Sequence, residues 1–343
     1  MDFSLSVITD LLRLIVVIHS SILISLLFKS RNRDRHVITG VWLTASLIGY
    51  LLVDWDALPR NGVFYFFLIG AFSLPFCFWL FSKSLFDDHF TFQRRYLWIW
   101  FGVLLIQYSC GLISLPERFA GLLDLLPQLV SLVFVVLAIV EALKNAEADL
   151  LANRARFRTV FIVTTAVLIA LTLFSEIIYR NQTVPLELEF AQKILIAGIV
   201  FYFSLSRLEF KTGFFKEKEK ETALPEEIDE ALLIRLLYVI EKEKIYHTEG
   251  LTIRQLAEHL DVKEYKLRQL INQHLGFRNF NDFLHSYRIQ EACDTLANPA
   301  QKHLTVLEIA YQIGYQSLAP FNKAFRDIVG TTPTAYRKEK LGK

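Results

Sequence analysis

The sequence predicts an all-α chain in two parts, a seven-helix transmembrane bundle followed by a soluble helical domain. Three observations carry that expectation. The 343 residues are 53% hydrophobic and 14% aromatic, with 29 Phe, which is too apolar for one soluble domain of this length. Charge is unevenly placed: residues up to Ser206 hold 16 Lys/Arg against 15 Asp/Glu, whereas Arg207 to Lys343 pack 21 against 20 into far fewer positions. Finally, the first part alternates long apolar runs with short charged loops, while the second shows helical periodicity with polar faces.

A bilayer core requires about 20 mostly apolar residues per helix, because every backbone polar group must be satisfied within the span. Seven runs are read as spans: Phe3 to Phe28, His36 to Val53, Val63 to Ser82, Tyr96 to Leu115, Leu122 to Leu143, Phe157 to Tyr179, and Leu188 to Leu205. No basic residue precedes the first run, and it is longer than a signal-peptide core, so it reads as a span. Basic residues then set the orientation. Lys29, Arg31, Arg33 and Arg35 follow the first run, Lys83, Arg94 and Arg95 the third, and Lys144, Arg154, Arg156 and Arg158 surround the loop after the fifth. Intervening loops hold only Arg60, Arg118 and Arg180. The positive-inside rule places the amino terminus outside and everything after Arg207 in the cytoplasm; it is the second half of the chain that argues for the inner membrane of a bacterium.

Charges within the runs have a plain reading and a functional one. Asp10 and Arg13 stand three apart and Glu189 and Lys193 four apart, spacings at which each pair neutralises itself. Asp54, Asp56, Glu176 and Arg180, at the outer ends of the runs, are the candidate contacts for an unknown small-molecule or membrane signal, against the plainer reading of solvated loop charges. Cys77, Cys110 and Cys293 are too scattered for a disulfide framework or a zinc site. There is no phosphate-binding glycine loop, no G-x-S-x-G and no H-E-x-x-H, so neither an enzyme, a cofactor nor a metal is expected.

Residues 207–225 form a charged juxtamembrane linker, with a Lys–Glu run over residues 216–221 that ends at Pro225. Residues 226–343 then form a separate domain. Glu226 to Lys244 is an amphipathic helix. Thr252 to Gln255 spells a capping box that opens a short helix through Leu260; after a turn at Asp261 and Val262, Lys263 to Leu275 is a second helix ended by Gly276. The grammar repeats with a capping box at Thr305 to Glu308, a turn at Gly314, and a helix from Ser317 to Val329 closed by Gly330. Phe280 to Leu296 joins the two helix-turn-helix units as one helix, about 25 Å long at 1.5 Å per residue.

Tandem units joined by a long helix resemble the DNA-binding domain of AraC/XylS-type transcription regulators. The second unit carries the signature: Ile309-Ala310, Ile313-Gly314-Tyr315, Ser317, Phe321 through Arg326, Gly330, Thr332-Pro333 and Tyr336-Arg337. The first unit departs from it, with Lys263 where a serine cap is usual and Asp261 where glycine is frequent. The resemblance implies a transcription regulator that binds double-stranded DNA, with RNA polymerase and a second copy of the chain as further candidate partners. Candidate DNA contacts are Lys263, Tyr265, Lys266, Arg268, Gln269 and Asn272 in the first recognition helix and Gln316, Ser317, Asn322, Lys323 and Arg326 in the second. From Leu251 onward there are 13 Lys/Arg against nine Asp/Glu, so positive charge gathers where phosphate must be met. The fused membrane part reads as a sensor. A bare anchor with proteolytic release of the DNA-binding domain, and a transporter bearing a regulatory tail, are the alternatives.

Overall fold

The computed structural model describes residues 2–29, 35–53, 55, 58–112, 117–144, 146–179, 183–212 and 229–342. Among them the secondary structure is helical, with no strand beyond one isolated bridge. The chain divides into two compact units, the first comprising Met1–Lys144 and Arg158–Glu217, the second Asn145–Phe157 and Lys218–Lys343. Most of the expected linker, from residue 213 onward, lies outside the described residues.

Among the described residues seven helices correspond to the expected apolar runs, α1 (Asp2–Lys29), α2 (Arg35–Val53), α3 (Gly62–Phe86), α4 (Arg94–Leu112), α5 (Glu117–Leu143), α6 (Ala152–Ile178) and α7 (Leu186–Thr212), all in the first unit except the start of α6, residues 152–157, which belongs to the second. Their count is as expected, but their span character is not. Among the described residues, only Leu5–Leu26, Gly62–Phe86 and Leu126–Leu143 are long and apolar enough, by length and composition, to cross a membrane. The apolar stretches of α2 and α6 are shorter, at Val37–Val53 and Phe157–Thr172. Length and charge explain the difference: α7 opens on Glu187 and Glu189, and α4 begins at two arginines while the end of its expected run, residues 113–115, lies outside the described residues.

Close approach of small residues and polar bridges join the helices of this unit. Gly49 of α2 meets Gly70 of α3 so closely that a Cβ on Gly49 would lie 2.7 Å from the Phe67 carbonyl oxygen. Trp100 donates to Ser73 at 2.8 Å, and Lys83 pairs with Glu141 at 3.1 Å. The intrahelical pairing expected for Asp10 and Arg13 is present, and it extends to a second helix. Arg13 does meet Asp10 at 2.8 Å, but its other nitrogen reaches from α1 to Glu189 of α7 at 2.9 Å. Lys193, buried, lies over the Tyr50 ring. Sequence spacing cannot reveal a carboxylate 176 residues away that faces the same guanidinium.

The second unit contains α8 (Glu230–Glu241), α9 (Ile253–His259), α10 (Glu264–Gln269), α11 (Phe280–Ala297), α12 (Val306–Gln312), α13 (Leu318–Val329) and α14 (Pro333–Lys340). Both expected capping boxes form, with Thr252 and Gln255, and Thr305 and Glu308, satisfying each other's backbone donors. Asp261 adopts φ +49°, the left-handed conformation that short polar side chains tolerate, so the turn forms without glycine. Lys263 caps α10 by position alone and makes no side-chain cap bond. α10 is shorter than expected: a π-helical turn, Leu270–His274, continues it.

Two apolar clusters meet along α11. Leu236, Leu256, Leu267, Ile271 and Phe283 centre the first, and Ile289, Ala310, Ile313, Phe321 and Phe325 the second. A 3-10 turn, Ile245–His247, lies beside the second turn motif. There Gly314 has φ +86°, and a Cβ would stand 2.6 Å from the His247 carbonyl oxygen. Gly314→Ala is therefore expected to lose at least about 1–2 kcal/mol from the left-handed backbone alone, before the clash is added. Amide hydrogen exchange should read this as lost protection in α11 and α13 together; unchanged protection would contradict the close approach.

Candidate nucleic-acid interface

The start of α13 is positioned from below. Arg288 of α11 is 6% exposed, and its guanidinium donates to the Tyr246 carbonyl at 2.7 Å and the Thr248 carbonyl at 2.9 Å while lying 5.3 Å from the Tyr315 ring centre. Burial lowers its pKa from the ordinary arginine value. The Tyr315 hydroxyl meets His285 Nδ1 at 2.8 Å with the rings stacked, and burial pushes its pKa up. Beside them Glu291 accepts from Lys244 at 2.7 Å, Tyr246 at 2.8 Å and His247 at 2.6 Å. Burial raises the Glu291 pKa, but those hydrogen bonds outweigh it and hold the carboxyl below its ordinary range. The backbone entering Gln316 and Ser317 is thus fixed by buried aromatic and ionic groups.

From that base α13 presents a polar edge. Gln316, Ser317, Lys323 and Arg326 are exposed and Asn322 is half-buried, while Phe321, Ala324 and Phe325 face the core. Ser317 sits at the N-cap without a side-chain cap bond, so its hydroxyl is not committed to the helix. Exposed Ala319 and Pro320 share the same first turn. The sequence reading passed over them because neither is polar, although the opening turn of such a helix is its leading edge.

The first recognition helix is less open. Lys263, Tyr265 and Lys266 are exposed. Asn272 is turned back to the Phe277 carbonyl at 2.9 Å, and Gln269 donates to Gln273 at 3.3 Å. Arg268, expected to reach outward, is held three ways: by Glu264 at 2.7 Å, by the Asp149 carbonyl at 2.6 Å and by the Glu147 carbonyl at 2.8 Å. Those carbonyls belong to the segment between α5 and α6, which is built into this unit. Phe280 N donates to Ala148 O at 2.8 Å, Leu150 N donates to Arg278 O at 3.1 Å, and Asp149 and Asn279 form an antiparallel bridge. The Leu150 side chain, 5% exposed, joins the first apolar cluster. The sequence carried no local signal for this strap, since its partners lie more than a hundred residues away.

Of the expected signal contacts, Asp54, Asp56 and Arg180 lie outside the described residues, and the Glu176 side chain does so too.

Comparison with known proteins bears on the second unit. Residues 256–339 match a family model described as a helix-turn-helix domain, of the AraC type. A helix-turn-helix-type transcriptional regulator of Haemophilus influenzae is 36% identical over 86 residues, 25% of this chain and 28% of that protein. The Msm operon regulatory protein of Streptococcus mutans serotype c is 22% identical over 171 residues, 49% of this chain and 55% of its own. The chain thus spans about half or less of the length of the curated relatives it matches. Among solved structures, the C-terminal domain of AraT, a response regulator from Geobacillus stearothermophilus, aligns at 30% identity with a TM-score of 0.28, covering 32% of this chain and 84% of that one.

Replacing Arg268 by Ala is expected to leave the Glu147 and Asp149 carbonyls without their donor, costing the strap about 1–3 kcal/mol. Limited proteolysis should then cut within residues 145–151 faster than in the wild type, and equal rates would show that the guanidinium does not hold the segment.

Proposed function

We propose that the chain is a membrane-embedded transcription regulator that binds specific double-stranded DNA through its two helix-turn-helix units and couples a membrane signal to that binding. The observation that carries the DNA reading is the polar edge of α13, exposed and held on a rigid buried base. Lys323 and Arg326 supply phosphate contacts, and Gln316, Ser317 and Asn322 are the candidates for base edges, because helix N-termini of this motif enter the major groove. In the first unit Lys263, Tyr265 and Lys266 play that part. Arg268 and Gln269 read bases only when released from their intramolecular partners.

The membrane reading is supported by the outer surface of the first unit. Ile8, Leu11, Ile15, Ile18, Ile22 and Leu26 form an exposed apolar stripe along α1, a surface that water would not tolerate and hydrocarbon would. In this proposal all seven helices lie in the bilayer, the less apolar α2, α4, α6 and α7 included, with the amino terminus outside and the DNA-binding domain in the cytoplasm. Coupling runs through the strap: a signal that shifts α5 against α6 moves the Glu147 and Asp149 carbonyls and with them the recognition helix that Arg268 belongs to. Release by cutting in residues 207–225 is disfavoured by the same contact, because the cut fragment would leave Leu150 behind.

The full chain in detergent should select its cognate duplex over a scrambled one, and Lys323→Ala should lower the salt slope of binding by about one unit without changing the preferred sequence. Equal affinity for all duplexes would refute sequence recognition. Reporter fusions after Lys29, Arg60, Arg95, Arg118, Arg156 and Arg180 should alternate between compartments beginning with the cytoplasm; a periplasmic signal beyond Arg207 would overturn the topology.

A further inference from the structure

Within the first unit, α2, α3, α5 and their neighbours line a half-open cavity of about 600 Å³, inside the range that accommodates small organic ligands. None of the residues lining it is acidic, basic or histidine. Leu47, Phe72, Phe78, Leu132 and Ile196 make the wall mainly hydrocarbon. A bare hydrocarbon would suit such a wall, yet two polar atoms in the lining residues do not fit that occupant. Gln107 is 4% exposed, and its Nε2 has no acceptor. Gln128 Oε1, also buried, has no donor.

Other groups at the cavity add acceptors. The Thr44 and Ser131 hydroxyls donate to Gly40 and Pro127 carbonyls on their own helices, at 2.7 and 2.8 Å, so their protons are committed and lone pairs remain. Pro75, inside α3, has no N–H to offer the carbonyl of Ala71, and both residues line the cavity. A buried amide without a partner is costly in apolar surroundings, and native structures keep such groups for a reason. A charged ligand is disfavoured, since no counter-charge lines the site to offset its lost hydration.

We propose that this cavity binds a neutral, mainly apolar small molecule bearing one hydroxyl or carboxamide head, which accepts from Gln107 Nε2 and donates to Gln128 Oε1. The inference uses residues of the first unit only and stands whether or not the chain regulates transcription. It differs from the sequence-based expectation of a site among the charged residues at the helix ends.

The test uses the full chain in phosphatidylcholine vesicles and a diazirine-bearing decanol as the photolabel, with decanol, decane and decanoate as competitors. Decanol is expected to displace the label, with decane and decanoate each about tenfold weaker; Gln107→Leu and Gln128→Leu should each weaken labelling about fivefold, the loss of one neutral hydrogen bond. Without ligand, both leucine variants should unfold at the wild-type temperature or above it, because each removes an unpaired buried amide. Equal competition by decane would mean that the cavity admits any hydrocarbon chain, and stronger competition by decanoate that the ligand is an anion. Either result overturns the proposal, as would wild-type labelling of the variants or a lower unfolding temperature.

Discussion

A single buried cation organises the carboxyl-terminal domain. Arg288 is placed on α11 where the two apolar clusters meet, and neither cluster by itself fixes the angle between the helix-turn-helix units. Its guanidinium ties the Tyr246 and Thr248 carbonyls to α11, and the same turn closes against Gly314, where no side chain fits. Burying a charge is unfavourable unless its donors are satisfied. Here two carbonyls and the face of Tyr315 do so, and they are groups that only the assembled arrangement brings together. The polar edge of α13 therefore inherits its direction from hydrogen bonds, which are directional, rather than from apolar contact, which is not.

Local structure was legible wherever its cause is local. Thr252 with Gln255, Thr305 with Glu308, and the glycines at residues 276, 314 and 330 announce helix ends through chemistry that acts within a few residues, and each appears where expected. Ala310, Phe321 and Phe325, which carry the family resemblance in the sequence, lie in the second apolar cluster. What escaped depends on distant partners. Arg268 reads as an outward basic residue until Glu147 and Asp149 stand beside it, and nothing near Glu189 in the sequence announces that Arg13 reaches it. Counting apolar residues likewise marks seven runs, whereas length and composition single out three helices among the described residues, because a stretch can be apolar enough to pack inside a bundle while being too short or too charged to qualify as a span by itself.

The two helix-turn-helix units are not equivalent in this structure. The second offers its helix freely, while the first has its central arginine, its amide side chains and part of its apolar cluster engaged within the chain. Such asymmetry suits a regulator whose second unit supplies steady attraction and whose first is conditional. Differential contact between two states is what any coupled equilibrium requires, and in this state the Arg268 guanidinium is committed to backbone carbonyls.

The strap also sets the order of events during synthesis. Leu150 leaves the ribosome some 130 residues before Phe280, whose backbone N–H closes the strap on Ala148. At ordinary elongation rates of about 5–20 residues per second, that is a wait on the order of ten seconds. During this interval α6 and α7 are made, before the first helix-turn-helix unit has the chain it needs to complete its core. The domain that would read the genome thus finishes folding only on a chain whose amino-terminal helices have already been laid down, so maturation of one half becomes a checkpoint for the other.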